Sequence, residues 1–228
     1  MNFDFPFETI RTDRVKSASI DVEDNLVKVT VPKNLSDERI EELIKGRTLW
    51  IKQKLALQAT AIISKPKEYV DGEAFAYLGR NYRLKCANGT EESVKLRSGY
   101  LNVTTKNGKR NSEHIKAAIE QWYRTKALSR LVDKTKRYSA ILKVEPTSIN
   151  LKDYKAMWGS CSPKGVVSYN WRIILAPHKI VDYIVVHELC HLIEPNHSSK
   201  YWKQVRSVIP DYENSKEWLK INGSSLLI

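Results

Sequence analysis

A chain of 228 residues can build one sizeable core or two small ones, and 42% hydrophobic with 28% charged residues is an ordinary globular composition. No apolar run approaches a membrane span, and Met1-Asn2-Phe3-Asp4-Phe5-Pro6 lacks the basic and apolar regions of a secretory leader. Cys86, Cys161 and Cys190 form no CxxC pair, so free thiols and a reducing, cytoplasmic setting are expected. A formal charge of +12 leaves affinity for nucleic acid open, although no nucleic-acid motif and no long Lys/Arg block accompanies it.

Residues 1–34 read as β structure. Val27, Val29 and Val31 alternate with Lys28 and Thr30, the pattern of a half-buried strand. Val15 to Val22 is its expected partner across a turn at Glu23-Asp24-Asn25. Ser36 is placed to cap a helix carrying Ile40, Leu43, Ile44, Trp50, Ile51 and Leu55, with Gly46 as a weak point. From Glu68 to Thr105, alternating runs separated by Asp71-Gly72, Gly79-Arg80-Asn81, Asn88-Gly89 and Ser98-Gly99 predict hairpins of one antiparallel sheet. Cys86 reads there as a small buried hydrophobe.

The polar stretch Asn107-Gly108-Lys109-Arg110-Asn111 is the expected boundary between two domains, 1–110 and 111–228. A long helix is predicted over 112–142, with Ile115, Ile119, Trp122, Leu128, Leu131, Val132 and Ile141 as its apolar stripe. His114 should be exposed at its start. Ile149-Asn150-Leu151 is a short strand, Met157 to Gly165 a turn, and Val166 to Trp171 a returning strand. That strand is expected at a sheet edge beside a cleft, where an extended peptide could add to it.

The chemistry concentrates in Val186-His187-Glu188-Leu189-Cys190-His191, an HExxH motif on an apolar helix beginning near Pro177. Positions i and i+4 share a helix face, so His187 and His191 can aim two imidazoles at one metal ion. Glu188 is then placed to take a proton from a metal-bound water. Pro195 should end the helix near Glu194 and let His197 return as the natural third ligand. Glu194, Asp211 and Glu213 are weaker choices for that ligand. Zinc is the expected ion for such donors. Tyr169, Asn170, Arg172 and Tyr183 are candidates to stabilise an oxyanion. Ser160 and Cys161 lack a partnered base and should shape a turn, Cys190 should be buried, and His178 should be a surface residue. Tyr201, Trp202, Val205, Val208 and Ile209 predict a further helix, ended by Pro210-Asp211-Tyr212, with a last turn at Trp218-Leu219.

Several stretches together resemble the YgjP-like metallopeptidase domain family, related in its metal motif to SprT-like zinc peptidases. They are Trp158-Gly159-Ser160-Cys161-Ser162, Tyr169-Asn170-Trp171-Arg172, the HExxH segment, Asn196-His197-Ser198, Tyr201-Trp202 and Pro210-Asp211-Tyr212. Tyr77-Leu78-Gly79-Arg80 and Trp122-Tyr123 add to them. The resemblance implies a metal-dependent hydrolase with ligands His187, His191 and His197 and general base Glu188. Met157 departs from the basic residue usual before this Trp. Tyr201 stands where the family often has Phe, which implies packing rather than catalysis.

The expected fold is α+β: an N-terminal antiparallel β-rich subdomain with a helix, then a zincin-like helical part with a small sheet and an HExxH active-site helix. The expected function is a zinc-dependent peptidase acting on peptide or protein substrates. Its rivals are a nucleic-acid-associated, SprT-like protease and a non-catalytic zinc-binding interaction module.

Overall fold

A computed structural model describes residues 3–13, 17–23, 26–60, 66–106 and 111–228. It divides into two compact units, Met1–Ile62 and Ile63–Ile228. Among the described residues no helix is long and apolar enough to cross a membrane. The expected turn at Asp24-Asn25, the start of the expected strand at Val15-Lys16, and Asn107 to Arg110 lie outside the described residues.

In the first unit, β1 (Phe7–Thr12), β2 (Ser19–Glu23) and β3 (Leu26–Pro32) form a sheet in the order β1-β3-β2. β3 is central, antiparallel to β2 and parallel to β1. The alternation read in the sequence holds: Val27, Val29 and Val31 are fully buried. They share a core with Ile40, Ile44 and Ile51, which recur on one face of α1 (Asp37–Thr60). The Ser36 hydroxyl accepts from the Arg39 amide at 3.4 Å, capping that helix. α1 runs unbroken through Gly46.

In the second unit, β4 (Ala74–Tyr77), β5 (Arg80–Gly89), β6 (Ser93–Arg97) and β7 (Tyr100–Lys106) form a sheet in the order β4-β5-β7-β6. The sheet is mixed rather than antiparallel. β6 lies outside β7, so β7 returns between β6 and β5 and pairs with β5 in parallel, Leu84 opposite Leu101 and Cys86 opposite Val103. α2 (Ser112–Leu142) follows. The Asn111 side chain caps it, accepting from the His114 amide at 2.7 Å, and Lys143 ends it in the left-handed region. His114 is half-buried, its ring 3.1 Å from Glu92, rather than exposed.

The buried stripe of α2 is Ile115, Ile119, Tyr123, Ala127, Leu131, Thr135, Tyr138 and Leu142. Leu128 and Ile141, expected inside, are 45% and 53% exposed. Phe75, Leu84, Leu101 and Val103 of the sheet belong to the same core as this stripe. The Tyr123 hydroxyl also donates to the Ala76 carbonyl at 2.6 Å. The β4–β7 sheet and α2 share one core, and the two compact units part at Ile62/Ile63, whereas the sequence placed its expected domain boundary at residue 110.

Beyond α2, β8 (Ser148–Lys152), β9 (Gly159–Cys161) and β10 (Val166–Asn170) form a small sheet in the order β8-β10-β9. β10 pairs in parallel with β8 and antiparallel with β9. It is the central strand, so the expectation that it offers a free edge is overturned. Part of the stretch expected as turn is strand β9, and the turn itself narrows to Ser162–Gly165, closed by Gly165 N–H to Ser162 C=O at 2.9 Å. A 3-10 turn (Trp171–Leu175), α3 (His178–Cys190), α4 (Ser199–Val208) and α5 (Tyr212–Asn222) complete the unit. Gly79, at φ +80°, touches Pro177 so closely that a Cβ would lie 2.9 Å from its Cα; this seats the β4–β5 turn on the start of α3.

Truncation separates the observed stripe of α2 from the one read in the sequence. Leu131→Ala should cost about 2–5 kcal/mol and Leu128→Ala under about 1 kcal/mol in urea unfolding. Equal costs would show that the helix is rotated from the orientation described.

Candidate metal centre

α3 is buried on nearly every side: Ile180, Val181, Ile184, Val185, Val186 and Leu189 all lie in the core. His187 and Glu188 occupy its last turn, and His191 is its C-cap. The helix ends at Cys190, a turn earlier than Pro195 alone would require. Its end tightens, with Leu192 N–H to Leu189 C=O at 3.0 Å and Ile193 N–H to Cys190 C=O at 3.1 Å. His191 keeps helical angles, φ −68° and ψ −17°, so it still shares a face with His187.

His197 comes back to that face from the turn before α4. The ring centroids of His187 and His191 are 5.2 Å apart, those of His187 and His197 5.0 Å, and those of His191 and His197 4.7 Å. One ring nitrogen from each lies within 4.8 Å of the others, and this is the one such metal-holding group among the described residues. The Nε2 atoms of His187 and His197 stand 3.2 Å apart. Tetrahedral coordination at ~2.0–2.1 Å puts two donor nitrogens about 3.3–3.4 Å apart, so the pair fits a shared ion. His191 turns Nδ1 to the Glu194 carbonyl at 3.3 Å, which leaves Nε2 for the cluster. Nδ1 of His187 is buried with no hydrogen-bond partner among the described residues.

Tyr201 and Trp202, neighbours on α4, hold the rings in place. Tyr201 is fully buried; its ring stacks on His191 at 4.7 Å, and its hydroxyl donates to the His187 carbonyl at 2.9 Å. Trp202 stacks on His197 at 5.4 Å and on Tyr212 at 5.0 Å, and Tyr212 stacks on Tyr183 at 6.5 Å. The sequence reading gave Tyr201 a packing role and missed the carbonyl it anchors.

Glu188 is 4% exposed and lies against Gly159 of β9, where an added Cβ would be 2.5 Å from its Oε1. Gly159 is thus a site residue that the sequence reading left in a turn. Its signal was a glycine inside the Trp158–Ser162 stretch. Burial pushes the Glu188 carboxyl up to about 8. Burial, then the His191 and His197 rings and Lys216, push the His187 imidazole down to about 3, which keeps it neutral and able to ligate.

The other candidates fall elsewhere. Tyr169 is buried with its hydroxyl 3.0 Å from that of Thr135. The Asn170 side-chain amide donates to the Tyr154 and Met157 carbonyls, and Arg172 pairs with Asp153 over the Trp171 ring. Of the four oxyanion candidates only Tyr183 lines the cleft beside His187 and Glu188. Ser160 bonds Tyr154 at 2.7 Å. Burial and then Glu188 push the Cys161 thiol up, and burial pushes Cys190 up to about 12, so both stay protonated. Glu194, Asp211 and Glu213 are not part of the histidine cluster. His178 is exposed, as read.

A family model described as YgjP-like, metallopeptidase domain, matches residues 16–222. The chain belongs to that family. Membership makes it a metallopeptidase, which implies a metal ion and a peptide or protein substrate. Two solved structures are similar over part of the chain. The metallopeptidase zymogen abylysin of Pyrococcus abyssi is 25% identical, with 38% of this chain and 86% of that one covered and a TM-score of 0.35. The zymogen jannalysin of Methanocaldococcus jannaschii is 24% identical, with 34% and 79% covered and a TM-score of 0.32. No curated protein matches the sequence.

Burial sets opposite pH linkages on the two adjacent motif residues of the metal-stripped protein. Glu188, raised from 4.5 to about 8, favours the fold while protonated, so its contribution is full below 4.5 and lost as pH rises through 8. His187, lowered from 6.5 to about 3, favours the fold while neutral, so its contribution is lost as pH falls from 6.5 toward 3. The two oppose each other between 4.5 and 6.5, and from 6.5 to 8 Glu188 acts alone. Stability measured by urea titration should therefore drop with rising pH over that upper window, and Glu188→Gln should flatten the drop. Parallel curves for the two proteins would sink this account.

Proposed function

We propose that this metallopeptidase is a zinc enzyme in which His187, His191 and His197 hold the ion and Glu188 is the general base. The observation that carries the reading is the 3.2 Å approach of the His187 and His197 Nε2 atoms, with His187 and Glu188 lining one cleft. Three borderline imidazole donors suit zinc. When bound with an open position, such an ion lowers the pKa of its water to about 7 and polarises a carbonyl.

The protein's own groups do the rest. Burial alone favours the protonated form of Glu188, and the positive charge of an ion held by the histidines would favour the carboxylate, which then takes a proton from the attacking water and passes it to the leaving amine. Tyr201 fixes the His187 backbone and Trp202 the His197 ring, so both ligands are set before substrate arrives. A closed structural site would need a fourth protein ligand, and the described residues supply none beside the three histidines.

The substrate lies along β9. Asn170 N–H bonds the Trp158 carbonyl and Ser162 N–H the Val166 carbonyl, so even-numbered β9 residues pair inward with β10. Gly159 and Cys161 then turn their backbone groups outward, on an edge strand whose Gly159 abuts Glu188. An extended peptide adds there as a further strand.

Glu188→Gln should retain the metal at wild-type stoichiometry and lose about 10²–10⁴-fold in kcat on a peptide library. A variant that still turns over at the wild-type rate would end the general-base assignment. For the strand docking, peptides N-methylated at single backbone positions should lose activity at alternate positions along the chain. Uniform tolerance of methylation would rule out pairing with β9.

A further inference from the structure

The cleft beside the histidine cluster encloses about 310 Å³, and α5 lends it Lys216, Leu219 and Lys220. A spacing of three and four residues puts all three on one face of the helix. Glu188 is the one acidic group lining this cleft among the described residues, and it is buried. The two lysines are like charges at i and i+4, which repel unless an anion sits between them. Lys220 is partly met by Glu217 at 3.0 Å. No carboxylate pairs with Lys216 among the described residues. Its Nζ lies 4.7 Å from the centre of the Trp202 ring, whose other contacts include the stack on His197. The ammonium is thereby held one ring away from the proposed metal ligands. Met157 and Trp158 give the same cleft apolar lining, which strengthens any ion pair formed inside it.

We propose that Lys216, with Lys220 beside it, is a specificity determinant that binds a carboxylate of the substrate close to the bond being cut. This rests on the peptidase reading above. The carboxylate has two sources, an acidic side chain or the free C-terminus of a peptide. Both present the same charge to the lysine pair.

The test uses peptides differing only by Glu or Gln at positions flanking the cut, each with a free or an amidated C-terminus. The full-length, zinc-loaded protein should favour the carboxylate-bearing peptide by about tenfold or more in kcat/KM, less so at high salt. Lys216→Ala should collapse that ratio, Lys216→Arg restore it, and Lys216→Glu turn it toward Lys-containing peptides. Lys179→Ala removes the same charge from the exposed start of α3 and should change the ratio less than about twofold. A preference that vanishes on amidation assigns the C-terminal carboxylate; one that survives assigns the side chain. Equal turnover of Glu and Gln peptides and of both termini, or equal effects at Lys216 and Lys179, would overturn the proposal. A second measurement, Trp fluorescence of the Glu188→Gln protein titrated with the same peptides, keeps the two ideas apart. If nothing is hydrolysed, the peptidase reading fails. Carboxylate recognition then stands on tighter binding of the carboxylate-bearing peptide that Lys216→Ala abolishes, and falls if the peptides bind alike.

Discussion

The second unit is built around a carboxyl group that it keeps out of water. Glu188 sits in the last turn of a helix most of whose residues are core, and its Oε1 rests against a strand with no side chain at that point. An unpaired buried carboxylate would cost several kcal/mol, and the group answers by holding its proton to about pH 8. Such a shift needs walls that do not yield. β9 supplies one wall, α2 backs α3 from the core, and α4 and α5 close the remainder. Gly159 is required because the carboxyl fills the space a Cβ would take; any larger residue moves the acid away from the cleft.

The imidazoles depend on the same walls through a different force. Stacked rings run from Tyr183 through Tyr212 and Trp202 to His197, while Tyr201 bears on His191 from a separate direction. Rings have few rotatable bonds, so such a stack fixes orientation at low entropic cost. His197 is exposed and follows a turn, where a lone side chain would sample several rotamers. Trp202 restrains it, and Ser198 ties that turn to α4 by accepting from the Tyr201 amide at 3.3 Å. The residues that support the cluster therefore start only one position after its last histidine.

Local patterns were readable in the sequence, and non-local ones were not. The span of α2 and the buried face of β3 follow from spacing alone. The rotation of α2 does not, because Ala127, Thr135 and Tyr138 carry weak hydropathy yet face the core, while Leu128 and Ile141 face solvent. Strand order was out of reach: Val166 to Asn170 reads identically as an edge or a centre, and only β8 and β9 flanking it decide. The β4–β7 sheet and α2 stand on either side of a polar run in the sequence and yet share one core, a pairing that local composition does not announce. The gathering of His187, His191 and His197 was legible because their spacing is local. Gly159 was not, since its partner lies 29 positions further on in the chain.

The early end of α3 shows how the motif's two spacings constrain each other. His187 and His191 need helical geometry between them, whereas His197 needs the chain to double back within five residues. Continuing the helix through Glu194 would carry the backbone about 6 Å further along its axis, at ~1.5 Å per residue, with only Pro195 and Asn196 left to reverse it. Ending at Cys190 while keeping His191 in helical angles serves both needs. The tightened turn also aims the Glu194 carbonyl back at His191 Nδ1, so the segment that stops the helix orients the second imidazole. Proline marks only how far a helix can run; here the helix stops a turn sooner, and the residues so released are the ones that carry the third ring back to the first two.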